Sequence, residues 1–366
     1  MPTSSVETQK STEGMVDYAK NSAMQQSVVA HHRERIAGLV ARLGEVTPEM
    51  RIVDYGCGPG PSAIGAVAPA VAAYRARFPE APLAVCHADQ PGNDWNSLFA
   101  LANGPDGYRK ADPALRMEAA VGSFYEPLAA AGSVALCTCF AASHWLSQAV
   151  QLQAPGTIWF ADLTGRARAN LAAQARKDWV RFLQCRAEEL RPGGFLFVST
   201  LGSVPDESEI NGIAASGRGI YRAIQTVAQA MADEGQLDPA VLDGFVFGLW
   251  FLTAEEAREP LEREASLAEA FAIEEISVLP GPLNPTDVYL DRIDDPATYA
   301  KLYTGYIRGF GDSSLRRQLF EPSAGDAAGA DRLADDFYRR LETLYRDAPG
   351  TYAGEIWNLT VVLRRL

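Results

Sequence analysis

One short stretch restricts the fold of this chain more than any other: residues 51–62, RIVDYGCGPGPS. Ile52 and Val53 read as a buried strand, Asp54 follows, and glycines then stand at alternate positions, Gly56, Gly58 and Gly60. A strand, a glycine turn and an alanine-rich helical run open an α/β fold of the nucleotide-binding kind. Glycine lets the backbone take positive φ and come close to a ligand. Gly58, Gly60 and Ala63 also satisfy the GxGxx(G/A) pattern of dinucleotide sites, so the glycines alone leave the ligand open.

Asp54 narrows the choice. A carboxylate ahead of the glycines suits a ligand bearing ammonium, amine or hydroxyl donors and repels a pyrophosphate. A second strand-like run over 83–88 ends at Asp89, where an acid can accept from both hydroxyls of a ribose. S-adenosyl-L-methionine has a ribose, an amino-acid end and no phosphate, and fits both acids.

The rest of the chain supports a doubly wound parallel sheet. Helical patterns over 27–43, 62–78 and 166–190 alternate with strand-like runs at 133–138 and 195–200. The segment CFAASHWLSQ follows the fourth strand, at the carboxyl ends where open α/β sheets bind ligands. After Gly202 the pattern turns mainly helical, with strands expected at 273–278 and 357–363. The expected division is an α/β domain from 15–202 with 271–282 and 354–366, a helical cap from 203–270 with 283–353, and a mobile tail over 1–14.

Net charge is −13 over 366 residues, which disfavours nucleic acid and anionic membranes as partners. The five cysteines show no disulfide framework and read as buried thiols of a cytoplasmic protein. No apolar run approaches a membrane span. His31 and His32 read as solvated or capping residues.

Four segments converge on one pocket mouth: YAKNSAMQQ, DYGCGPG, ADQPGNDWN and CFAASHWLS. With them the chain resembles the SABATH family of carboxyl methyltransferases. The carrying residues are Tyr18, Asn21, Ser22 and Gln25, then Asp54, Gly56, Cys57, Gly60 and Pro61. Asp89, Pro91 and Asn93-Asp94-Trp95-Asn96 follow, then Gly122-Ser123-Phe124-Tyr125 and His144-Trp145-Leu146-Ser147. Weaker similarity continues through RPGGFLFVSTLG and DGFVFGLWFLTAEEA, so the likeness spans nearly the whole chain.

The resemblance implies S-adenosylmethionine as cofactor, a small carboxylic acid as substrate and a homodimer. It implies that Tyr18, Ser22, Asp54, Gly56, Cys57, Asp89, Gln90, Ser123, Phe124 and Cys139 surround the cofactor. Gln25 and Trp145 would each donate an N–H to the acceptor carboxylate, with His144 beside them as a possible donor if protonated. Ala141 would line the acceptor pocket, and Phe245, Phe247 and Trp250 are candidate cap residues for its wall. Departures matter: Ala141 stands where plant members usually carry tyrosine, which widens the pocket. Val246 replaces an asparagine tied to a magnesium site, so no metal is expected. The expected reaction is methyl esterification of an apolar or aromatic acid without a general base. Methylation of a ring nitrogen, a nicotinamide-dependent oxidoreductase and a non-catalytic binding protein are the alternatives.

Overall fold

The computed structural model describes residues 23–44, 46, 48–282 and 286–366. Tyr18, Asn21 and Ser22 lie outside the described residues. The strands are β1 (Met50–Tyr55), β2 (Leu83–Asp89), β3 (Arg116–Val121), β4 (Val134–Phe140), β5 (Leu190–Leu201), β6 (Ser203–Pro205), β7 (Ile213–Ala215), β8 (Phe271–Pro280) and β9 (Trp357–Arg365). The helices of nine residues or more are α1 (Ala23–His31), α2 (Arg33–Arg42), α3 (Pro61–Arg77), α4 (Trp95–Asn103), α5 (Gly165–Glu189), α6 (Arg218–Asp233), α7 (Ala254–Arg263), α8 (Pro296–Leu315) and α9 (Ala327–Asp347).

Seven strands form one sheet in the order β3-β2-β1-β4-β5-β9-β8. The first five run parallel, and β9 is antiparallel to both β5 and β8. The central strands β1, β2 and β4 are apolar almost throughout, as strands covered on both faces must be. From β1 the chain winds outward through β2 and β3, then returns to add β4 on the other side. That reversal opens a crevice beyond the carboxyl ends of β1 and β4. Register fixes what faces it: Asp54 pairs with His87 on β2 and with Thr138 on β4.

One face of the sheet packs on α2 and α3 through Ile36, Val67 and Tyr74. The other face belongs to a single apolar cluster running from Tyr55 and Cys139 through Trp159 and Phe247 to Tyr303 and Phe337. The helices after β5 therefore share a core with the sheet. All five cysteines are free and buried. Among the described residues no helix is long and apolar enough to cross a membrane.

Two expectations need correction. The helix over 27–43 is two helices, broken at His32, whose φ of −95° and ψ of 2° leave the helical range. His32 is buried against Phe197, ring centroids 5.1 Å apart, and is not solvated. Burial holds its pKa down to about 4.

Candidate active site

The glycine turn shapes the floor of the crevice. Gly56 has φ of 70°, and a Cβ there would intrude on the Cβ of Ala142, so the position admits no side chain. Gly60 (φ 130°) hands the chain to α3, whose first residue is Pro61, a residue with φ preset for a helix start. Above the turn lies a cleft of about 960 Å³. Asp54, Gly56, Cys57, Asp89, Gln90, Ser123 and Phe124 all line it.

The two acids are held differently. Asp89 accepts from the backbone N–H of Gly58 and of Gln90, each at 2.7 Å, so its carboxylate is tied into the turn. Burial raises its pKa, and those two N–H groups oppose the shift. Asp54 is buried, and its Oδ1 accepts from the Thr138 hydroxyl at 2.7 Å. Its Oδ2 is buried without a hydrogen-bond donor among the described residues. The wall carrying Ser123 and Phe124 is pinned by Gly122 N–H to Asp89 O (3.0 Å) and by Arg186 Nη1 to Phe124 O (2.9 Å).

A second, smaller cavity of about 60 Å³ opens beside the first. Gln25, Ala141, His144 and Trp145 line it, and Phe140, Ala141, Trp145 and Phe310 belong to both walls. Trp145 is held by its backbone: its carbonyl accepts from Tyr125 OH at 2.5 Å, and it bridges to Leu249. Flanking bonds run from Leu146 N to Gly248 O and from Trp250 N to His144 O. Ser147 completes the anchorage, donating through N–H and hydroxyl to Asp178 at 2.8 and 2.7 Å. The indole N–H is bonded to no described residue, and Gln25 Oε1 is buried and unpartnered.

His144 does not fit the role of a protonated donor. It is buried, and loss of solvation lowers its pKa to about 3, so it is neutral at physiological pH. Its Nδ1 pairs with Thr200 Oγ1 at 2.7 Å.

Four expected wall residues, Cys139, Phe245, Phe247 and Trp250, are not on either wall. Cys139 is wholly buried within β4, where burial pushes its thiol up to about 12; the lining begins one residue later, at Phe140. Phe247 is buried against Phe245 and Tyr221. Trp250 packs on Phe160, lies under the Arg168 guanidinium and donates to Glu256. The segment 248–250 instead serves through its backbone, holding Trp145 in place. The aromatic wall comes from Tyr221 on α6 and from Tyr306 and Phe310 on α8, none of which motif reading had found. The available signal was the i, i+4 spacing of Tyr306 and Phe310, whose rings sit 5.3 Å apart.

A family model described as "SAM dependent carboxyl methyltransferase" matches residues 4–363. The chain belongs to that family. The assignment overrides the dinucleotide reading of Gly58, Gly60 and Ala63, and the cofactor of this carboxyl methyltransferase is S-adenosylmethionine. It is 25% identical to gibberellic acid methyltransferase 1 of Arabidopsis thaliana over 324 residues, covering 80% of this chain and 83% of the relative. Jasmonate O-methyltransferase of Arabidopsis thaliana is 25% identical over 301 residues, 73% of this chain and 75% of the relative. A solved structure of loganic acid methyltransferase with SAH shares the fold, with TM-score 0.75, 20% identity and coverage of 97% and 98% of the two chains.

The donor set of the methyltransferase suits the cofactor. Asp54, with its buried and unpartnered Oδ2, and Asp89 both line the larger cleft, so two carboxylates stand at the glycine turn. Among the described residues no group of three His, Cys, Asp or Glu side chains is gathered to hold a metal ion.

Proposed function

We propose that this enzyme methylates a small, mostly apolar or aromatic carboxylic acid to its methyl ester. The reading is carried by the meeting of the two cavities at Ala141 and Trp145. Asp54 and Asp89 would hold the ammonium and ribose of S-adenosylmethionine in the larger cleft, with Ser123 and Phe124 bordering the adenine. When bound there, the cofactor supplies an electrophilic methyl group. The acceptor carboxylate would sit in the smaller cavity, its oxygens taking the N–H of Gln25 and of Trp145.

The chemistry asks little of the protein beyond placement. A carboxylic acid with a pKa of about 4 is already ionised at neutral pH, so no side chain need remove a proton. Orientation of such an anion in a desolvated site is worth up to about 7–11 kcal/mol. Neutral donors fix the oxygens without quenching them, whereas an arginine clamp would bind the anion harder and reduce its nucleophilicity. The smaller cavity has no lysine or arginine on its described lining, and its one histidine is neutral. Tyr221, Tyr306 and Phe310 would cover the apolar part of the acid, with the helices of 203–270 and 283–353 acting as the cap. The enzyme is further proposed to act as a cytoplasmic homodimer, which sedimentation velocity would check.

A panel of aromatic and aliphatic acids, xanthines and amines, supplied with methyl-labelled cofactor, tests the reading. Base-labile methyl esters from one or more acids are expected. Label confined to nitrogen heterocycles would replace it with ring N-methylation, and cofactor binding without turnover over the panel would favour a binding protein.

A further inference from the structure

His87 is an unusual residue for the middle of a buried parallel strand. It lies on β2 directly beside Asp54, is wholly buried, and its two ring nitrogens meet very different groups. Nε2 is 2.6 Å from the hydroxyl of Tyr108, itself buried. Nδ1 is 3.6 Å from Asp54 Oδ2, and neither of those atoms has a hydrogen-bond partner among the described residues.

We infer that His87 is a positioning residue for the cofactor: it carries a proton on Nδ1 and aims that N–H at Asp54. The logic is one of tautomers. With the proton on Nε2, the Nδ1 lone pair would confront a buried carboxylate, a repulsion that the burial of both atoms strengthens. With the proton on Nδ1, the Tyr108 hydroxyl donates to Nε2 and the imidazole N–H dipole points at Oδ2. At 3.6 Å it is close enough for the dipole to point at the oxygen and too far for a hydrogen bond that would occupy it. Thr138 holds Oδ1 from the other side. Oδ2 is thereby left without a hydrogen bond, its acceptor capacity held for an ammonium, where a lysine or arginine in place of His87 would compete with that ligand.

The inference rests on Asp54 receiving the cofactor's ammonium, and the test separates the two. Nitrogen-15 spectra of histidine-labelled protein, with His87 assigned by its loss in His87→Asn among only four histidines, read the tautomer directly. The expected signature is a protonated Nδ1 and a bare Nε2, with Tyr108→Phe mixing the tautomers. An Nε2–H signature in the wild type overturns the proposal whatever the variants do. Calorimetric binding of S-adenosylhomocysteine, which keeps the ammonium, gives the second measure. His87→Leu should weaken it about five- to tenfold with the acceptor KM unchanged, and His87→Asn, whose amide restores a donor near Nδ1, should recover most of the loss. Equal affinities for the Leu and Asn variants overturn the role of His87 while Asp54→Asn still loses affinity. Full affinity in Asp54→Asn overturns the assignment of Asp54 itself.

Discussion

Two buried carboxylates in this molecule, Glu189 at the end of α5 and Asp54 within β1, are treated in opposite ways. Glu189 Oε2 accepts from Tyr55 OH at 2.7 Å and Arg186 Nε at 2.5 Å, and its Oε1 accepts from the N–H groups of Leu128 and Ala129. Arg186 in turn lies 3.7 Å from the Tyr55 ring centroid and donates to Phe124 O and Glu126 O. Every oxygen there is taken, and the outcome is rigidity: the wall at 122–129 is fixed to α5. Asp54 keeps one oxygen back. A saturated buried carboxylate is architecture, whereas Asp54, a cleft-lining residue with an unused acceptor oxygen, is the one proposed above as a binding group.

The sharpest way to break that contrast is to remove each acid in turn. Glu189→Leu strands the Arg186 guanidinium in the core and should cost about 3–5 kcal/mol in denaturant-measured stability. Asp54→Asn removes a charge but keeps the Thr138 contact, so it should leave the melting transition nearly in place. Its loss should appear in cofactor affinity, about 10–100-fold by calorimetry. If instead Asp54→Asn unfolds the protein and Glu189→Leu spares it, the distinction is wrong.

Much of this was legible in the order of the motifs. A strand, an acid and three glycines can hardly be satisfied outside a βα turn, and the carboxyl end of the fourth strand had to face the same crevice. Gln25, Asp54, Asp89 and Trp145 reach the cavities because their positions relative to β1, β2 and β4 follow from topology. Phe247 and Trp250 could not be placed that way. They lie in an irregular segment with no period from which to read a direction, and the core took their side chains. The wall they were expected to supply comes from α6 and α8, where helical spacing marks a face but not the partner it meets. Cys139 failed for a simpler reason: one residue along a strand reverses the face.

His144 tests whether closed polar groups also leave a mark. Free in an unfolded chain its imidazole takes a proton below about 6.5, whereas in the fold it stays neutral to about 3. Between those values the unfolded state binds more protons, so stability falls as pH falls, by about 1.4 kcal/mol per pH unit. Denaturant titrations at intervals between pH 4 and 6 should show His144→Phe losing that much of the wild-type slope. A slope unaltered by the substitution would mean that His144 protonates within the folded state.

In the proposed reading Trp145 belongs with Asp54 as an open group, on the acceptor side. Trp145→Phe removes the indole N–H and keeps the ring packing, so the acceptor KM should rise about tenfold, as for one lost hydrogen bond to a charged group. Cofactor affinity should hold. Loss of cofactor binding in this variant would move Trp145 from the small cavity's function to the large one's.

The smallest effect is expected at Ala141, the one residue on both walls whose backbone is itself out of the ordinary. Its φ of 49° is the sole positive value for a non-glycine residue among those described, and its N–H is committed to Ser199 O at 2.8 Å. An L-residue in that region costs about 1–2 kcal/mol, which Ala141→Gly would relieve. Glycine also gives the unfolded chain more freedom, worth about 0.4–1 kcal/mol in the other direction. The two partly cancel, so stability should rise by no more than about 1.6 kcal/mol. The informative readout is therefore kcat at saturating acid and cofactor. If it holds, the conformation of Ala141 is only the turn's way of leaving β4. If it falls while both affinities stand, the restricted backbone at the junction of the cavities joins Asp54 Oδ2 as something the fold keeps in an unfavourable state for the reaction.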